Sequence, residues 1–351
     1  MPLQLGTAKA QPGKLTYGTW DLVEHPTGGK DQLPVVLAQG SAKGPVFWLT
    51  AGIHGNEHAG LQALHLLVTR SLVNKLRGTI VCLPALNPAG LRTMRREAYY
   101  HPGDPNRLFP DQRPRDLQDP DSDPPSVLEL AYSRLFAEMR QTANYWIDLH
   151  NTWTGSISMV YRDRVYYRDD GTPAAVKQAK AQAEELDRKL GEMCAAYGHS
   201  VLNEMGCAAY FQDNLHRSTT GAAVNVARIP AMTMELGTGH MPDPHIVAAC
   251  VTGLTNVLSG PGCSRAGQSP SPGSRWSSRA IPAADGAPRG SAFPAWSGTW
   301  SSRVTWSGRE TRSPRSATSG AGRLPSGFSA PKPTVGSWAA RTGSCTTLAP
   351  R

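Results

Sequence analysis

Three short, nearly continuous apolar runs limit what this chain can fold into. Residues 46–50 (VFWLT), 79–83 (TIVCL) and 145–149 (YWIDL) are rich in β-branched and aromatic residues and lack the polar alternation of a half-exposed strand. Strands of this kind are buried on both faces. Between the first two runs, Leu61, Leu64, Leu67 and Val68 recur at helical spacing and predict a helix over 57–74. Strand, helix, strand implies a parallel or mixed sheet covered by helices, an α/β layer fold. The same reading places a strand at 35–37, a helix over 126–141 with Ser126 as N-cap, a long polar helix over 173–197 and a strand at 229–235. A last helix is opened by Asp243 and Pro244 and runs to about Leu258. Residues 84–125 are rich in Pro, Arg and Asp without periodicity and read as one long loop, a length that is commonly functional inside a compact domain.

Charge and composition change sharply near Gly260. The whole chain carries a formal charge of +9, yet residues 1–260 hold 24 Lys+Arg against 25 Asp+Glu, while 261–351 hold 12 against two. That final segment contains 18 Ser, 12 Gly and 11 Pro but only five Ile, Leu, Val or Met, too few to offset chain entropy by burial, so a disordered tail is expected. Its five Trp and its excess of residues with GC-rich codons suggest translation in a shifted frame; a basic nucleic-acid-binding tail is the competing reading. With the positive charge confined there, a nucleic-acid partner is not expected for residues 1–260. No run approaches the roughly 20 apolar residues of a membrane span. The start, MPLQLGTAKAQPG, has no secretory pattern, so a cytoplasmic protein is expected. Six scattered cysteines without a C-x-x-C pair read as free thiols.

Chemistry-bearing residues gather at the ends of the apolar runs. AGIHGNEHAG at 51–60 places His54 and Glu57 three apart where a strand gives way to a helix, a spacing that can offer two metal donors from one turn. His54 to His58 also reads H-x-x-E-H, a pattern that needs both histidines on an established helix; Gly55 and Gly60 weigh against one. His150 closes the run 145–149 and is a candidate third ligand, since ligands in α/β sheets gather at the carboxyl ends of strands. The loop brings Arg92, Arg95, Arg96, Asn106 and Arg107, a donor-rich stretch suited to a carboxylate or oxyanion. Glu235, closing the run 229–235, is either a general base or an ordinary strand-terminal carboxylate.

In this order, GIHGNE, NPAG…R…DPNRLFP, IDLHNT and MELG resemble the succinylglutamate desuccinylase/aspartoacylase family of the zinc carboxypeptidase clan, over about residues 30–260. The resemblance implies a carboxypeptidase-like three-layer α/β/α domain with a mixed central sheet over 1–260. The tail 261–351 then stands where the family carries a C-terminal β-rich domain. It implies His54, Glu57 and His150 as ligands of one Zn²⁺ ion and Glu235 as general base. Arg96 would polarise the scissile carbonyl, with Arg95 as its rival; Asn106 and Arg107 would grip a substrate carboxylate, and Asp104 would orient His54. Pro105 stands where the family commonly has Leu. The arginine that reads a second carboxylate in aspartoacylase falls near Val224, with Arg217 or Arg228 as candidates to replace it. The activity implied is zinc-dependent hydrolysis of an N-acyl amino acid or similar small carboxylate-bearing amide. A metallocarboxypeptidase acting on peptides and an inactive family member are the alternatives.

Overall fold

The computed structural model describes residues 2–111, 124–237, 239–260 and 345–347. A small ribbon, β1 (Gln4–Leu5) and β2 (Ala8–Lys9), precedes β3 (Lys14–Glu24), β4 (Lys30–Gln39) and β5 (Ala42–Ala51). Helices α1 (Ala59–Leu67) and α2 (Arg70–Val73) lead to β6 (Arg77–Leu83); α3 (Pro88–Thr93), a 3₁₀ turn (Pro105–Arg107) and α4 (Val127–Thr142) lead to β7 (Tyr145–His150). There follow β8 (Met159–Arg162), β9 (Tyr166–Arg168), α5 (Pro173–Tyr197), β10 (Ser200–Asn203), α6 (Cys207–Gln212), α7 (Thr219–Ala222), β11 (Ala231–Glu235) and α8 (Pro244–Leu258). A last short strand, β12 (Cys345–Thr347), pairs antiparallel with β9. Apart from those three residues, the tail expected to be disordered lies outside the described residues.

Eight strands form one mixed sheet in the order β10-β8-β11-β7-β5-β6-β4-β3. Its centre is parallel, β11 with β7, β7 with β5 and β5 with β6; the flanking pairs β11/β8, β6/β4 and β4/β3 are antiparallel, and the edge pair β10/β8 is parallel again. The three apolar runs are its central strands, because helices cover both faces there. On one face Phe109 stacks on Tyr132 of α4 (5.1 Å) and meets Trp146 edge-on (5.8 Å), while Trp48 Nε1 donates to Thr142 (3.1 Å). On the other face α1 lies so close that a Cβ on Gly60 would come within 2.7 Å of Leu149 Cβ. The expected α/β/α layering with a mixed central sheet is therefore what the chain adopts.

Several sequence expectations need correction. The helix expected over 57–74 is two helices: Val68 leaves helical backbone (ψ 77°), and the Thr69 hydroxyl caps α2 by accepting from Leu72 N–H. A β-branched pair whose side chain can satisfy an orphan N–H favours a break over continuation. The loop expected over 84–125 contains α3, whose start was legible: the Asn87 side chain accepts from Gly90 N–H (2.9 Å) and Pro88 occupies the first turn. Residues 112–123 of that loop lie outside the described residues. Strands β3, β8 and β10 were missed; β10 is exposed along its whole length, and its four residues, SVLN, show no apolar alternation to read. The helices over 126–141, 173–197 and 243–258 stand within one or two residues of their expected bounds, with Ser126 and Asp243 as N-caps.

The register fixes the site. Ala51 pairs with Leu149 and His150 pairs with Glu235, so β5, β7 and β11 end side by side at one edge of the sheet. The turn after β5 packs backbone to backbone on α3: a Cβ on Gly55 would lie 1.9 Å from the Gly90 carbonyl carbon. Gly55→Ala must therefore push α3 away and should lower stability by about 1–3 kcal/mol or more, as overpacking does. Urea unfolding of the variant against wild type measures this, and an unchanged midpoint would contradict the packing.

Candidate metal centre and substrate cavity

Each functional side chain is placed by a strand end or by a cap. His54 and Glu57 lie in the turn between β5 and α1, and His150 is the last residue of β7. Alternation along β7 turns Trp146, Asp148 and His150 to one face. The result is a buried cluster: His54, Glu57 and His150 are 3%, 6% and 2% exposed, and one donor atom of each lies within 4.8 Å of the others. Glu57 Oε1 is 2.8 Å from His54 Nδ1, and Glu57 Oε2 is 3.0 Å from His150 Nδ1. His58, the third residue of the H-x-x-E-H reading, is outside the cluster and contacts the Gly55 carbonyl instead (3.1 Å).

Behind the cluster stands a ring of carboxylates and amides. His54 Nε2 meets Asp104 Oδ1 at 3.0 Å, and His150 Nε2 meets Asp148 Oδ2 at 2.9 Å. Each Nε2 thus faces a carboxylate acceptor, and the two Nδ1 atoms lie 3.2 Å apart, both turned to the Glu57 carboxylate; with the proton kept on Nε2, each ring has an Nδ1 lone pair to offer a cation. Two imidazole nitrogens and a carboxylate converging in a buried space could hold a cation between them. Two imidazoles and a carboxylate are a donor set that suits zinc. Asn151 secures the arrangement from the next position in the chain: its N–H donates to Glu57 Oε2 (2.9 Å), and its Oδ1 accepts from Ala59 N–H at the start of α1 (3.1 Å).

The charges follow from these contacts. Burial works to raise the Glu57 carboxyl, but His150 and His54 outweigh it and hold the group well below the ordinary carboxylate range. Burial likewise opposes ionisation of Asp104 and Asp148; His54 and Arg96 hold the first low, and His150 with the Thr219 and Thr50 hydroxyls hold the second low. For His150, burial favours the neutral ring, but Asp148 and Glu57 push it well above its usual value.

These residues floor a cavity of about 420 Å³, which is also lined by Arg96, Asn106, Arg107, Thr233 and Glu235. Arg96 pairs with Asp104 (2.8 Å) and reaches Glu57 (3.4 Å), and its carbonyl is held by Gly55 N–H and Asn87 Nδ2. Arg95, the rival for its role, does not line the cavity. Asn106 Oδ1 accepts from Thr219 N–H (2.8 Å), and Arg107 donates to the carbonyls of Asn106 and Asp213. Pro105, the departure from the family pattern, opens the 3₁₀ turn that Asp104 caps, a position that suits proline. Glu235 faces the cavity across from His150; burial raises its carboxyl to about 7, and its Oε2 is buried without a hydrogen-bond partner.

Neither Arg217 nor Arg228 replaces the missing arginine. Arg217 donates to the Phe109 carbonyl and pairs with Glu129, Arg228 donates to the Tyr166 carbonyl, and Val224 is fully buried. Sequence reasoning missed Asp148, Asn151, Thr219 and the acids Asp163 and Glu204, which line the cavity past the end of β8 and β10. Burial raises the Glu204 carboxyl to about 7. The i, i+2 spacing of Asp148 and His150 was the available signal for the first of these.

The succinylglutamate desuccinylase/aspartoacylase catalytic domain, as a family pattern, matches residues 43–260. The chain belongs to this family. It is 26% identical over 233 residues to the N-alpha-acetyl-L-2,4-diaminobutyric acid deacetylase of Halomonas elongata, a match covering 66% of this chain and 58% of that protein. The chain thus spans less than two thirds of that relative's length. In fold it is similar to the succinylglutamate desuccinylase/aspartoacylase of Rhodobacter sphaeroides (TM-score 0.53, 19% identity, 72% of this chain and 66% of that one). It is also similar to the product-bound ectoine utilization protein of Ruegeria pomeroyi (TM-score 0.55, 19% identity, 76% and 70%). Among the described residues no helix is long and apolar enough to cross a membrane, and Cys82, Cys194, Cys207 and Cys250 are free thiols.

If the cluster holds a cation, wild type should take up one Zn²⁺ per chain and melt at lower temperature with chelator, because a ligand at 100 times its Kd adds about 2.7 kcal/mol. His150→Ala should lose both properties. Elemental analysis and thermal unfolding with and without chelator read the result, and a chelator-insensitive wild type would exclude the site.

Proposed function

We propose that this protein is a zinc-dependent deacylase that hydrolyses the amide bond of an N-acyl amino acid or a similar small carboxylate-bearing substrate. The observation that carries the reading is the position of Glu235. Its partnerless Oε2 faces the same cavity as the His54, Glu57 and His150 donors, one strand away from His150. A buried carboxyl raised to about 7 is suited to exchange a proton near neutral pH. The deacetylase activity named for the Halomonas relative supports the substrate class.

His54, Glu57 and His150 would hold the zinc ion, which when bound polarises a carbonyl and lowers the pKa of water. Glu235 accepts a proton from the attacking water and delivers it to the leaving nitrogen. The Arg96 guanidinium, oriented by Asp104, stabilises negative charge developing on the scissile oxygen, a contribution of about 3 kcal/mol per well-placed donor. Asn106 spends its Oδ1 on Thr219 N–H, which leaves its Nδ2 donors for a substrate carboxylate beside Arg107.

Glu235→Gln should retain zinc and lose at least 100-fold in kcat, whereas wild-type kcat/KM should rise with pH through an acid limb at or below about 7, as the Glu235 carboxyl loses its proton. Normal turnover in Glu235→Gln would remove this residue from the mechanism. A panel of N-acyl amino acids against short peptides separates the reading from a metallocarboxypeptidase: preference for the peptides would overturn it. Arg96→Ala should lower kcat by about 100-fold or more with a smaller change in KM, since its charge matters most where the oxyanion forms.

A further inference from the structure

Thr219 has no part in the chemistry above, yet it makes the contact that joins the two halves of the site. It is the first residue of α7 and is fully buried. Its hydroxyl donates to Asp148 Oδ2 at 2.6 Å, the oxygen that also receives His150 Nε2 at 2.9 Å. Its backbone N–H donates to Asn106 Oδ1 at 2.8 Å. The other oxygen of Asp148 accepts from the Thr50 hydroxyl (2.6 Å), which in turn accepts from Trp146 Nε1 (2.7 Å). Asp148 is itself wholly buried, so each of its oxygens depends on these few donors for stabilisation.

We propose that Thr219 is a positioning residue that sets both the His150 imidazole, through Asp148, and the Asn106 amide, through its own N–H. Partners behind a metal-ligating histidine fix its tautomer and its aim. Here the hydroxyl holds Asp148 Oδ2, the oxygen that faces His150 Nε2. The same hydrogen bond pins the residue whose N–H orients the Asn106 carbonyl oxygen, and with it the Nδ2 donors that face the cavity. Ligand geometry at the cluster and the aim of the carboxylate anchor therefore share one residue, the first held by its hydroxyl and the second by its backbone N–H. The inference rests on the reading of the cluster as a metal site given under Proposed function.

The test uses the full chain with Zn²⁺ and Co²⁺ as probes. Thr219→Val keeps the volume and removes the hydroxyl; Thr219→Ser keeps the hydroxyl. Affinity for Zn²⁺, measured by competition with a chelating dye, should fall about 10–100-fold in Thr219→Val and return to within a few-fold of wild type in Thr219→Ser. The visible spectrum of the Co²⁺ form should change in the valine variant and be restored in the serine variant. At saturating Zn²⁺, KM for an N-acyl amino acid should rise several-fold in Thr219→Val with a smaller loss of kcat. If the valine variant does not fold, Thr219→Ala, which also lacks the hydroxyl, is read in its place. Wild-type Zn²⁺ affinity and Co²⁺ spectrum in the hydroxyl-free variant would overturn the proposal, as would an unchanged KM. Failure of wild type itself to bind Zn²⁺ or cleave any N-acyl amino acid would instead overturn the proposed function.

Discussion

A carboxylate buried between two imidazoles is the constraint around which this protein is arranged. Glu57 sits with both oxygens engaged, Oε1 by His54 and Oε2 by His150 and the Asn151 N–H. A lone buried charge of that kind would cost several kcal/mol. The surroundings answer it in layers: imidazoles against the carboxylate, then Asp104 and Asp148 against the imidazoles, then Arg96 and the Thr219 and Thr50 hydroxyls against those acids. Each layer fixes the orientation of the one inside it. Removing any single member leaves a buried polar group without its partner, which is costlier than the hydrogen bond alone.

The sheet makes this arrangement possible by bringing three chain reversals to one edge. Parallel pairing of β5, β7 and β11 ends each strand at the same level, so residues separated by nearly a hundred positions and more become neighbours. Gly55 and Gly60 allow the turn and α1 to seat directly on α3 and β7, where any Cβ would collide. The carboxylates in and behind the cavity then divide by environment. Glu57, Asp104 and Asp148 have cationic or donor partners and stay ionised, whereas Glu235 has no donor on its Oε2 and Glu204 only the Met205 N–H (3.3 Å), and burial raises both to about 7. One site thereby combines carboxylates suited to hold charge with carboxylates suited to move a proton.

The whole-chain charge of +9 would have pointed to an acidic macromolecular partner. Residues 1–260 are almost neutral, and their cationic side chains matter locally, as Arg96 and Arg107 at the cavity. The family match covers 43–260, the part of the chain whose composition can build a core.

How much of this was legible in the sequence follows from which interactions are local. The central strands were legible because burial on both faces leaves a run of apolar residues that no other context requires. The pairing of His54 with Glu57 was legible because both lie in one turn, and Ser126 and Asp243 were legible because a cap is satisfied within four residues. The kink at Val68–Thr69 and the short helix α3 carried signals of the same local kind, a side chain capping its own N–H groups, that were outweighed by leucine spacing in one case and by proline content in the other. What the sequence by itself determined is the set of strand ends and the donor residues that sit on them. Only the tertiary structure decided which donors meet: that Asp148 backs His150, that Asn151 caps α1 while binding Glu57, that Arg217 and Arg228 turn elsewhere, and that Thr219 touches both Asp148 and Asn106. Apart from the pair Asp148 and His150, those contacts join residues far apart in the chain, and their energies depend on sheet register and burial, which no local pattern of residues encodes.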